Sequence, residues 1–128
     1  MKLGYTLFYV DDVAAALSFY EKAFGLKTAF LHESGQYGEL ETGETKLGFV
    51  HHETAESHGF EYERSSAQKK PAACEIGLVT KDVAGAFDRA IAAGAASVSK
   101  PKEKPWGQVV SYVRDPNGFL VEICSPMG

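Results

Sequence analysis

The chain has 128 residues, 45% of them hydrophobic, and a formal charge of −4. That length and apolar content suit one globular domain with a real core better than a disordered chain or two independent domains. Its 13 Lys and Arg residues are scattered, so it lacks the basic stripe that neutralises nucleic-acid phosphates, while an acidic pocket for a neutral or cationic small molecule stays open.

The opening MKLGYTLFYVDD lacks the basic, apolar and small-residue sections of a secretory signal. No window approaches the roughly 18 apolar residues of a membrane span. Two cysteines, Cys74 and Cys124, are too few for a disulfide scaffold and lack metal-ligand spacing. The expectation is a cytoplasmic protein with reduced thiols and with neither a membrane nor a nucleic-acid partner.

In chain order, YTLFYV alternates as a strand, with Tyr5, Leu7 and Tyr9 on one face and Thr6, Phe8 and Val10 on the other. Val13, Ala16, Leu17 and Tyr20 then recur at helical spacing behind Asp12, a candidate N-cap, and Gly25 supplies the stop. Three strands follow, LKTAFLHE, QYGELET and TKLGFVHH, separated by Ser34-Gly35 and Gly43. The polar stretch from His58 to Pro71, HGFEYERSSAQKKP, reads as a linker in which Phe60 and Tyr62 are able to pack over something.

From Glu75 the pattern restarts. EIGLV is a strand, and Val83, Ala86, Phe87 and Ile91 form a helical stripe between Asp82 and Gly94. SVSK leads through the proline-rich KPKEKPWG into QVVSYVR, and Asn117-Gly118, residues tolerant of positive φ, turn the chain into FLVEICS. Laying Tyr5 on Glu75 matches Asp12-Val13-Ala14 to Asp82-Val83-Ala84. An internal repeat follows: a single α+β domain over 1–128, made of two βαβββ modules at 1–57 and 72–128 joined by a linker at 58–71.

Paired βαβββ modules, the opening YTLFYVDDVAAALSFYEKAFGLK and the closing YVRDPNGFLVEI resemble the vicinal oxygen chelate superfamily, which includes glyoxalase I, bleomycin-resistance proteins, fosfomycin-resistance enzymes and extradiol dioxygenases. The resemblance covers essentially the whole chain, yet the scaffold hosts many chemistries. It implies sheets curled into a half-open cup, helices on the convex side, a ligand pocket on the concave side, and a homodimer. On that frame Tyr5, Leu7 and Tyr9, then Glu75, Gly77 and Val79, then Leu120, Glu122 and Cys124 look into the cup.

Metal-dependent members hold a divalent ion at four positions, which the resemblance carries onto Tyr5, Gly48, Glu75 and Glu122. Only Glu122 keeps its expected type. Gly48 has no side chain, and the phenol of Tyr5 ionises only near pH ~10, so zinc or nickel glyoxalase and extradiol iron chemistry are both disfavoured. No cofactor is favoured. A divalent metal on His52, Glu75 and Glu122 is the fallback, because strand parity sends His52 rather than His51 inward.

Glu75 and Glu122 fall on neighbouring strands, where two close carboxylates cannot both ionise cheaply, so one should hold its proton. The pair suits recognition of a cation or acid–base work, and Tyr5, Leu7, Tyr9, Phe60, Tyr62 and Trp106 join it as candidate ligand contacts. Trp106, the only Trp, sits between Pro105 and Gly107 at a cup edge. The preferred reading is a metal-free protein that sequesters a cationic or aromatic small molecule. The alternative is a glyoxalase-like lyase, isomerase or dioxygenase using a non-standard metal site or Glu75 and Glu122 as acid and base.

Overall fold

Both halves of the chain are laid down by the same local signals. A computed structural model describes residues 1–127. In it β1 (Tyr5–Val10) leads into α1 (Val13–Phe24), whose first turn is capped by Asp12 Oδ1 accepting from Ala15 N at 3.0 Å. The later β5 (Glu75–Val79) leads into α3 (Val83–Ala93), capped in the same way by Asp82 Oδ1 and Gly85 N at 3.0 Å. Gly25 and Gly94 end the helices in the left-handed region, at φ 70° and 119°.

Three strands follow each long helix. In the first half they are β2 (Thr28–Leu31), β3 (Tyr37–Leu40) and β4 (Lys46–His51), then a short α2 (His52–Glu56). In the second they are β6 (Ala96–Glu103), β7 (Val109–Arg114) and β8 (Leu120–Cys124). The sheets run β1-β4-β3-β2 and β5-β8-β7-β6, each with one parallel pair, β1 with β4 and β5 with β8. These are two mixed four-stranded sheets with helices, an α+β architecture built from βαβββ units.

The chain divides into a unit from Met1 to Arg64 and a second that begins at Ser65, a boundary within the stretch read as a linker. That stretch is not free chain. Tyr62 packs edge-on against Tyr9 in the first unit, while Ser65 Oγ donates to Asn117 O at 2.7 Å in the second. Arg114 fastens the same stretch, its Nη2 donating to Ser66 O at 2.9 Å.

Burial follows the alternation in the strands. Phe8 and Val10 lie under α1, whereas Tyr5 is 59% and Leu7 41% exposed on the opposite face. In β8, Val121 and Ile123 are buried and Glu122 is half-buried, but Cys124 is buried as well rather than lining an open face.

Three details depart from the sequence reading. The proline-rich stretch is partly strand, since β6 runs through Pro101 to Glu103; β6 is an edge strand with shifted register, where a missing N–H is tolerated. In the DPNG turn Gly118 alone has positive φ, at 90°; Asn117 does not, because Asp115 Oδ1 accepts from both Asn117 N and Phe119 N at 2.9 Å and fixes the turn itself. Last, β4 ends at His51, so His52 does not obey strand parity. It opens α2, with His51 as the N-cap accepting from Glu53 N at 3.0 Å.

Candidate functional site

In the second unit the face turned away from α3 gathers the predicted carboxylates. Register sets Gly77 of β5 and Tyr112 of β7 on either side of Glu122 of β8, and Glu75 lies one inward position along from Gly77. The Tyr112 hydroxyl donates to Glu122 Oε1 at 3.0 Å. Burial, then a hydrogen bond and the charge of Glu122, push the Glu75 carboxyl up, so it retains its proton more readily than a free glutamate. Burial would push Glu122 up too, but hydrogen bonds from Glu75, Cys124 and Tyr112 outweigh it and hold Glu122 below the usual range.

The result is an asymmetric pair, the Glu75 carboxyl raised and the Glu122 carboxyl lowered from the usual glutamate range. Tyr112 is pushed up to about 12 and Cys124 to about 11, in both cases chiefly by burial and then by hydrogen bonding to Glu122, so phenol and thiol stay protonated donors. Among the described residues neither glutamate has a Lys or Arg ion-pair partner.

The corresponding face of the first unit carries Tyr5, Leu7 and Tyr9 from β1, Gly48 from β4, and Tyr37 and Glu39 from β3. The Tyr37 hydroxyl donates to Glu39 Oε2 at 2.6 Å. A Cβ on Gly48 would stand 2.9 Å from Leu7 Cδ2 and 3.2 Å from the Tyr37 hydroxyl, so the space a side chain at 48 would use is already taken. Tyr37 and Glu39 are absent from the sequence-derived set. Alternation in QYGELET puts them on one face, at positions outside the four that the resemblance marks.

His52, the fallback metal ligand, is 3% exposed and already engaged. Its Nδ1 lies 2.6 Å from the Tyr62 hydroxyl, its ring stacks on Tyr62 at 5.7 Å, and its Nε2 stands 3.8 Å from Asp11 Oδ1. Burial and the Arg64 charge keep it below the usual histidine range despite Asp11 and Glu56.

Tyr62 is thus tied to His52, whereas Phe60 is half-exposed and stacks on His58; both line an open groove of about 620 Å³ with Glu56, Glu61 and Glu63. Trp106 is 64% exposed beside a groove of about 680 Å³, its indole N–H donating to Gln108 Oε1 at 2.8 Å.

The family's metal does not fit these residues. Gly48 offers no donor and no room for one, Tyr5 offers an exposed phenol, and Glu75 and Glu122 are hydrogen-bonded to each other. Among the described residues no three His, Cys, Asp or Glu side chains gather closely enough to hold an ion.

Comparison with known proteins bears on the same residues. The model of the Glyoxalase/Bleomycin resistance protein/Dioxygenase superfamily matches residues 2–123. The chain is 27% identical over 124 residues to the uncharacterized protein YraH of Bacillus subtilis (strain 168), covering 96% of this chain and 97% of that one. Among solved structures, a glyoxalase-related enzyme from Fulvimarina pelagi superposes with a TM-score of 0.84 at 19% identity, over 98% of this chain and 88% of the other. A glyoxalase/bleomycin resistance protein/dioxygenase family enzyme from Burkholderia phytofirmans PsJN gives 0.74 at 25% identity, over 98% of each chain.

Proposed function

We propose that this chain, which belongs to the Glyoxalase/Bleomycin resistance protein/Dioxygenase superfamily, binds a cationic or aromatic small molecule without a metal. The observation that carries the reading is Glu122. Hydrogen bonds on a half-exposed face hold its carboxyl below the usual glutamate range, with Glu75 beside it and no Lys or Arg ion-pair partner among the described residues. A carboxylate desolvated in this way gains most from an incoming positive charge. In the same unit exposed Trp106, beside a groove, supplies an aromatic face whose cation–π attraction is worth on the order of 1 kcal/mol.

A homodimer in the cytoplasm completes the proposal. The exposed Leu7 of the first unit and Val79 of the second, both on faces turned from the helices, are apolar surface that a second copy would cover.

The test is a fluorescence titration with N-methylacridinium and with neutral acridine, in mildly alkaline buffer. Saturable binding that prefers the cation, with the preference reduced in Glu122→Gln, is the expected result. Absence of saturable binding for either dye overturns the reading, as does a stoichiometric divalent metal that Glu122→Ala loses.

The opposed shifts of Glu75 and Glu122 favour a second reading, in which Glu75 gives a proton to a substrate oxygen while Glu122 removes one from carbon. Turnover of small oxo compounds that disappears in both Glu75→Gln and Glu122→Gln would establish it.

A further inference from the structure

We infer that Glu39, held by Tyr37 across from Gly48, is a second cation-recognition point, carried by the first unit and selective for a positively charged nitrogen on a planar ligand. The inference rests on the binding reading above and extends it to residues outside the family's four positions. Its basis is the matching row of residues across the two sheets. In the second unit that row is Gly77, Glu122, Tyr112; in the first it is Leu7, Gly48, Glu39.

The carboxylate has therefore moved one strand over, from the β8 position to the β3 position. Its phenol partner stays on the counterpart strand, shifted along it. Tyr37, two residues along β3, donates to Glu39 at 2.6 Å as Tyr112 donates to Glu122 at 3.0 Å. Each sheet thus carries a carboxylate hydrogen-bonded by a phenol on its helix-free face, by different residues.

Two observations set the pair apart from an ordinary surface contact. A carboxylate offers about four acceptor sites, of which the Tyr37 hydroxyl fills one. Among the described residues Glu39 has no Lys, Arg or His ion-pair partner, although it is half-buried. Tyr37 meanwhile is pushed well above the usual tyrosine range by burial and then by Glu39, so it remains a donor and cannot neutralise the carboxylate. Tyr5 shares this face and is 59% exposed, which leaves a phenol ring uncovered on the Glu39 side of the sheet. An anion with spare acceptor sites and an uncovered aromatic face is a fit for a cationic ring nitrogen.

The experiment is the dye titration on Glu39→Gln and Tyr37→Phe, with circular dichroism melts as the folding control. Glu39→Gln should weaken N-methylacridinium binding about three- to fivefold, the effect of losing one half-exposed charge. Acridine binding should change by less than about twofold. Tyr37→Phe, which keeps the charge, should retain the preference for the cation. Unchanged cation binding in Glu39→Gln beside a clear loss in Glu122→Gln would overturn the inference and leave the binding reading intact. Equal losses in Glu39→Gln and Tyr37→Phe would also overturn it, by assigning the pair to scaffolding. Wild-type protein that binds neither dye would remove both together.

Discussion

The two units share a strand order and a pair of helix stops, yet they solve burial differently. Beneath α1 the first unit is aromatic: Phe49 and Tyr20 are fully buried, with ring centroids 5.2 Å apart, and Phe8 stands edge-on to Phe49 at 6.2 Å. On the α3 side the second unit is mostly aliphatic, burying Val113, Val121 and Ile123 as well as Phe87. Volume and face are what the backbone plan demands, and ring or branched carbon can supply either. The helix-free faces diverge further, because nothing in the core constrains them. Glu122 stands on one and Gly48 at its counterpart, and the carboxylate returns from β3 as Glu39.

The largest effect that could break this comparison is in the cores. Phe49→Ala should cost about 3–5 kcal/mol and Ile123→Val about 0.5–1.5 kcal/mol, measured by urea denaturation. Similar losses would mean that the aromatic cluster is no harder to replace than the aliphatic one.

A smaller effect separates the open faces. Gly48→Ala would drive a methyl into Leu7 and the Tyr37 hydroxyl and should cost about 1–3 kcal/mol. Gly77→Ala, in the same row of the second sheet, meets nothing within 4 Å and should stay within about 0.5 kcal/mol of wild type. Two neutral substitutions would show that the first face is not filled over Gly48.

Acid sensitivity is the smallest and most diagnostic difference. His52 has a folded pKa below its ordinary 6.5, so the stability it contributes is complete above 6.5 and is lost as pH falls. Glu75, raised from 4.5, works in the opposite sense: its contribution is complete below 4.5 and is lost as pH rises, while Glu122, lowered from 4.5, loses its contribution as pH falls. The glutamates partly offset each other, so the fall between about pH 7 and 5 should belong to His52. Denaturation midpoints of His52→Gln should be flatter across that window, and an unchanged slope would assign the sensitivity elsewhere.

Much of the fold was legible because its signals are local. Asp12 and Asp82 announced the helix starts, Gly25 and Gly94 the stops, and the period-two pattern told Phe8 from Leu7. Parity failed at His52, where a helix of five residues begins directly at the strand end and no period is long enough to register. Asn117 tolerates positive φ without adopting it, because Asp115 secures the turn. In the candidate site, Glu75 and Glu122 came from strand parity and the family resemblance, which put them on neighbouring strands, as β5 and β8 are. Tyr37 and Glu39 were not readable, because neither marks a carboxylate that changes strands.

The sequence by itself determined two βαβββ units and the faces of their strands, consequences of periodicity and residue type. Only the tertiary structure decided which polar groups meet. It drew the Glu75 carboxyl up and the Glu122 carboxyl down from the usual range, filled the space over Gly48 with Leu7 and Tyr37, and hid His52 against Tyr62. The reason is physical: a strand's period fixes the side a residue faces, whereas a hydrogen bond or a shifted pKa depends on the register of neighbouring strands and on how much water the pairing excludes.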